Sequence, residues 1–204
     1  MPQPRTAAGA RTRRRILDSA EHLMRTMGLS RVTTKEIARE AGCSEAALYR
    51  HFTGKEELFV AVLRERLPAL GSVIGRLSAD PGERTTEECL TEIARTATLF
   101  YEASMPIGSS LFAEPALLQR HRDELRKLGA GPHKPLEALA GYLRALRDAG
   151  RVRAGTDPDA AASLLLGACY QRAFLRLFVG EEASPGSADD FAAGLVRTLL
   201  GGIG

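Results

Sequence analysis

Residues 33–52 read TTKEIAREAGCSEAALYRHF, two short helical patterns separated only by a Gly-Cys-Ser turn. This stretch constrains the fold more than any other, because a helix of about eight residues is marginal in water on its own. Thr33 and Glu36 have the S/T-x-x-E spacing of a capping box. Ile37, Ala38 and Ala41 form an inner face, and Gly42 ends the first helix. Ser44 caps the second, in which Leu48 and Phe52 point the same way. Cover comes from the preceding segment, where Ile16, Leu17, Ala20, Leu23, Met24 and Met27 recur at helical spacing before Gly28 stops them. Two short helices joined by a tight turn make a helix-turn-helix.

The remainder also reads as helix. TGKEEL opens a fourth helix, capped either by Thr53 with Glu56 or by Gly54 with Glu57. It runs to about Leu67, and Pro68 interrupts or kinks the chain there. Thr85 and Glu88 form another capping box before a helix to about Ser104. Pro115 starts a helix ending at Gly129, and Pro135 opens one stopped by Gly150. Asp157-Pro158 and Ser187 begin the last two. The count is about nine helices, with no sustained strand alternation and no internal repeat. The predicted class is all-α: an N-terminal three-helix helix-turn-helix domain over 12–66, preceded by a flexible basic tail over 1–11, and a C-terminal helical bundle over 67–204.

Charge separates the two parts. Residues 1–66 hold 13 Lys and Arg against 8 Asp and Glu, a net +5, while the rest holds 15 against 17, a net −2. A polyanion partner for the first part alone follows from that asymmetry. Apolar residues make up 44% and charged residues 26%, ordinary globular values. No apolar run approaches the roughly 18 residues a membrane span needs, and no apolar run follows the basic start as in a signal peptide. Cys43, Cys89 and Cys169 lack C-x-x-C spacing and are expected to be free thiols in the cytoplasm, with neither disulfide nor metal.

The pattern T-T-x-x-I-A-x-x-A-G-C-S-x-x-x-L-Y-x-H-F-x-x-K-E-E-L resembles the N-terminal domain of the TetR/AcrR transcriptional regulators, over about residues 12–63. Ala46-Ala47 stand where that family usually has small or polar residues such as Gly-Thr, and Gly54 replaces a capping serine. In helix-turn-helix proteins the second helix lies in the major groove of double-stranded DNA. Its outward positions here are Glu45, Ala46, Tyr49 and Arg50, flanked by Ala47 and His51. Arg50 suits a bidentate guanine contact, and Ala46 and Ala47 suit thymine methyls. Glu45 either accepts from a cytosine amino group or supports the helix N-terminus. Thr34 and Lys35 open the first helix of the pair, where phosphate is favoured, and Tyr49 is long enough to reach one. Lys55 sits at a helix N-terminus, where a cation is unfavourable unless phosphate is near. Arg11, Arg13, Arg14 and Arg15 form either a basic tail or a further phosphate or minor-groove contact.

The resemblance implies a homodimer formed through the last two helices and a cavity for a small-molecule effector among the middle ones. AAASLLLGACY, 160–170, is apolar almost all round, as a helix between a cavity and a partner subunit would be. Phe191, Leu195, Val196, Leu199 and Leu200 form one stripe on the final helix. Candidate ligand contacts are Phe100, Tyr101, Met105, Phe112, Tyr142, Cys169, Tyr170 and Phe174, residue types that fill cores more often than they line pockets. Pro106 and Gly108 should break a helix beside them. Cys169 or Ser163 as a nucleophile would need a base, and neither His121 nor His133 lies in a catalytic motif. The expectation is a regulator without enzymatic activity or cofactor, a repressor released from a palindromic operator by a small apolar molecule. The alternatives are a ligand-independent DNA-binding dimer and a helical enzyme fused to a DNA-binding domain.

Overall fold

The computed structural model describes residues 7–67, 69–80 and 82–202. Among these are ten α-helices, two 3-10 turns and no strand. The helices are α1 (Ala7–Met27), α2 (Thr34–Glu40), α3 (Glu45–Tyr49), α4 (Lys55–Glu65), α5 (Leu70–Ala79), α6 (Thr86–Gly108), α7 (Pro115–Leu128), α8 (His133–Asp148), α9 (Pro158–Phe178) and α10 (Ala188–Gly201). None is long and apolar enough to cross a membrane.

Packing divides the chain into two units, Met1–Leu67 with Pro106–Gly129, and Pro68–Met105 with Ala130–Gly204. This corrects the expectation that 67–204 forms one domain. The chain leaves the first unit after Leu67, returns after Met105 and leaves again after Gly129. The reason is burial: Ile107, Leu111 and Leu117 join the core that holds Ile16, Ile37, Leu48 and Leu58.

Three further expectations change. Residues 7–11 were assigned to a flexible tail, but they are the first turn of α1. Ala7, Ala8 and Ala10 carry high helix propensity, which Gly9 only partly offsets. The first six residues of that tail, and the interruption expected at Pro68, lie outside the described residues. Helix α5 was not predicted, because Gly71 and Gly75 dilute its pattern. Leu70, Ile74 and Leu77 nonetheless repeat at helical spacing, and all three are buried. Helix α6 runs through Pro106 to Gly108 instead of breaking there. Proline removes one helical hydrogen bond, while the fully buried Ile107 anchors the turn that follows it.

In the first unit α1 packs on α2 and α4, and α7 packs on α4. Ion pairs from Arg13 to Glu65 and from Arg66 to Asp18 join α1 to the end of α4. The Arg13 guanidinium also lies 5.0 Å from the centre of the Phe52 ring, a cation–π distance. In the second unit α8 packs on α5 and α9. Arg172 of α9 is buried there, which demands partners for its charge. It donates to Glu102 at 3.0 Å, to Ser184 Oγ at 3.0 Å and to the Gly186 carbonyl at 2.7 Å. Those bonds tie the connection between α9 and α10 to the helix before it.

Candidate nucleic-acid interface

The turn between α2 and α3 is built from backbone hydrogen bonds. Gly42 has φ +63, the left-handed conformation that glycine adopts without strain. The Gly42 N–H donates to the Arg39 carbonyl at 3.2 Å, and the Cys43 N–H to the Ala38 carbonyl at 2.9 Å. This paired closure is the Schellman motif. At the start of α2, Thr33 Oγ1 accepts from the Glu36 N–H, and the Glu36 carboxylate accepts from the Thr33 N–H. The carboxylate's pKa lies below its ordinary value because it accepts from the Thr33 hydroxyl and backbone. Ser44 Oγ accepts from the Ala47 N–H at 3.1 Å and so starts α3.

One side of α3 joins the core: Leu48 is fully buried, and Phe52 follows it. The other side presents Ala46, Tyr49 and Arg50 to solvent, with Lys35 of α2 also exposed. Between these lies a polar clasp. Thr34 Oγ1 donates to Glu45 Oε1 at 2.6 Å and lies 3.2 Å from Tyr49 Oη. A hydroxyl has one proton. With Thr34 donating to Glu45, the Tyr49 O–H donates to Thr34.

Two of the expected contact residues are partly taken up within the chain. Ala47 is only 8% exposed, beside the fully buried Leu48. Lys55 is half-buried, and its Nζ donates to the Ser30 carbonyl at 3.2 Å. Burial holds its pKa below the ordinary lysine value, against the opposing charges of Glu56 and Glu114. The Ser30 bond commits one of the three ammonium protons. His51 is half-buried, its ring 6.5 Å from that of Phe52. Helix α4 begins at Gly54 with no side-chain cap. Thr53 instead donates through its N–H and hydroxyl to Glu57, taking one residue from each of the two expected pairs. Of the N-terminal arginines, Arg11, Arg14 and Arg15 are exposed on α1, whereas Arg13 is committed to Glu65 and Phe52.

The residues expected to line a cavity separate into groups. Tyr101 meets Phe100 at 5.4 Å and Tyr170 at 5.5 Å between ring centres, both edge-on. Burial pushes the Tyr101 phenol up to about 12 and the neighbouring Cys169 thiol up to about 11. Cys169 donates to the Ala94 carbonyl at 3.4 Å. Tyr142 is buried beside Cys89, its phenol also pushed up to about 12 by burial. Met105 is half-buried. Phe112 belongs to the first unit and is 75% exposed. Phe174 stacks on Phe178 at 5.4 Å on an exposed face.

The sequence places an apolar surface on α9 toward a partner, without giving the residues that carry it. Leu164, Tyr170, Phe174, Leu177 and Phe178 are exposed large apolar residues on α9. Positions 164, 167, 170/171, 174 and 177/178 follow one helical stripe, and Gly167 and Gln171 share its exposure. Hydropathy alone hides the stripe, because the opposite face of α9 is equally apolar.

Comparisons with known proteins agree with this architecture. The profile for bacterial regulatory proteins of the tetR family matches residues 16–62, and that for the C-terminal domain of AefR-like transcriptional repressors matches 124–201. The HTH-type transcriptional regulator YvkB of Bacillus subtilis is 29% identical over 153 residues, covering 74% of this chain and 75% of the relative. The nucleoid occlusion factor SlmA of Vibrio campbellii is 30% identical over 154 residues, covering 73% and 74%. Among solved structures, the transcriptional regulator FadR of Bacillus subtilis, crystallised with stearoyl-CoA, shares the fold with a TM-score of 0.69 at 18% identity, covering 94% of this chain and 99% of that one. The chain belongs to the TetR family and is a transcriptional regulator.

Proposed function

We propose that the chain is a homodimeric repressor that holds a near-palindromic operator through the α2–α3 face and releases it when a small apolar molecule binds the second unit. The observation that carries the DNA-binding part is the two-sided α3. Leu48 fixes the helix to the core, while Ala46, Tyr49 and Arg50 stand exposed beside Lys35. Arg50 offers a donor fork for a guanine edge. Lys35 suits phosphate, as does Tyr49 once its O–H turns from Thr34, and contacts of that kind position the protein without reading sequence.

The exposed stripe of α9, with the half-buried Leu195, Leu199 and Leu200 of α10, supports the dimer. A two-fold dimer places two recognition helices on half-sites about one helical turn apart, or a multiple of it. The apolar effector draws support from the aromatic group Phe100, Tyr101 and Tyr170, and from the apolar acyl chain of the stearoyl-CoA held by the structurally similar FadR. This regulator acts in the cytoplasm, where DNA is.

Sequencing DNA selected from a random pool by the purified protein tests this reading. Two inverted copies of one motif are expected. A pool that emerges without a shared motif would reject the proposal.

A further inference from the structure

Glu45 is the first residue of α3, between exposed Ala46 and the α2–α3 turn, on a surface that must meet a polyanion. A carboxylate there opposes binding to any phosphate. Yet it is not a mobile surface charge: Thr34 Oγ1 holds Oε1 at 2.6 Å, and Tyr49, one helical turn along α3, closes the clasp through Thr34. The first helix of the pair thus fixes a side chain of the second. Support of the helix N-terminus would not require this bond, because an acidic side chain at the first helical position already favours the dipole.

A fixed carboxylate can only accept hydrogen bonds. In the major groove, guanine presents O6 and N7 acceptors and thymine presents the O4 acceptor, so both set lone pair against lone pair. Adenine offers its N6 amino group beside the N7 acceptor, which repels the second carboxylate oxygen. Cytosine offers its N4 amino group with an acceptor, the paired guanine's O6, on one side only, which leaves the other side open to the second oxygen. We infer that Glu45, held in place by Thr34, is a specificity-determining residue that accepts from a cytosine amino group in each half-site and rejects other bases there. The inference rests on the DNA-binding reading above. It gives Thr34 a positioning role and assigns the acidic residue a use: its repulsion makes non-cognate DNA unfavourable, and the cytosine contact offsets that repulsion at the operator.

The experiment sequences DNA selected from a random pool by the full-length wild type, Glu45→Gln, Glu45→Ser and Thr34→Val, each checked for unchanged helicity and melting. Affinity for an unrelated duplex is measured at one salt concentration. The wild type should show cytosine at one position of each half-site. Glu45→Gln and Glu45→Ser should lower discrimination at that position by about ten-fold, within the range for a single base contact, leave the others intact, and bind the unrelated duplex more tightly. Thr34→Val should weaken preference at the same position. Unchanged preference in both Glu45 variants overturns the inference while leaving the DNA-binding reading standing. A wild type that selects no motif overturns the reading beneath it.

Discussion

Tyr49 and Arg50 are adjacent at the end of α3, but the interface asks different things of them. Removing the Arg50 fork by Arg50→Ala should cost about 1–3 kcal/mol on the operator and relax one position of its sequence. Tyr49→Phe keeps the ring and removes the hydroxyl, so it should weaken cognate and unrelated DNA alike. Fluorescence anisotropy at fixed salt distinguishes the two, and equal losses on every sequence for Arg50→Ala would contradict its base-reading role. Away from DNA, His121 sits buried against Phe59, with ring centres 5.0 Å apart. Burial holds its pKa below the ordinary imidazole value, and the charge of Glu56 only partly opposes this. Because the folded value is the lower one, the unfolded chain takes up the proton first as pH falls. The resulting stability is therefore present above the unfolded value of about 6.5 and is lost as pH drops through it towards the folded value. Glu36, Glu56, Glu88 and Glu137 have folded values below the ordinary one, so they also lose stability in acid, at lower pH. The informative quantity is the difference between wild type and His121→Leu. Urea midpoints should fall further for wild type than for the variant between pH 7.5 and 5.5, and parallel falls would rule the histidine out.

The helices differ in how much of their ending is written locally. Helices α2 and α3 were legible because Thr33, Glu36, Gly42 and Ser44 each act on backbone within a few residues. Gly42→Ala tests this. A Cβ at that position would meet nothing nearer than Arg15 Nη1 at 3.6 Å, so the cost comes from φ and should be about 1–2 kcal/mol. A melting temperature equal to wild type would mean that the turn relaxes freely. Other endings depend on distant residues. The sequence suggests a break at Pro106, but the core that receives Ile107 is assembled from helices 45 or more residues earlier. The burial of Ala47 and the Ser30 bond of Lys55 are illegible in the sequence for the same reason. The helical pattern gives a residue's angular position, whereas the carbonyl that accepts from Lys55 is that of Ser30, before α2. Glu45 was recognised as an outward position, but its fixation by Thr34 requires two helices brought together across the turn.

At the scale of the whole molecule, regulation requires symmetry and coupling. Phe174→Glu places a charge in the exposed apolar stripe of α9 without entering the core of its own unit. It should yield monomers in analytical ultracentrifugation and lose the operator while retaining wild-type helicity. A variant that stays dimeric would move the interface elsewhere. The chain passes between the two units three times, which offers a covalent route for coupling. A ligand that favours one arrangement of the second unit can therefore bias the first through the backbone itself. It needs differential affinity for the two arrangements, and tight binding alone would shift nothing. Stearoyl-CoA, the molecule held by FadR, is a suitable first probe. A coupling of about 1–3 kcal/mol would lower operator affinity 5–150-fold, and reciprocity then requires the operator to lower probe affinity by the same factor. Calorimetric titration of the probe with and without operator measures both sides. Phe100→Ala and Tyr101→Ala should weaken the probe while leaving the operator affinity of the unliganded protein unchanged. If the probe releases DNA while its own affinity ignores the operator, it acts by competition or unfolding, and the second unit is not a sensor for it.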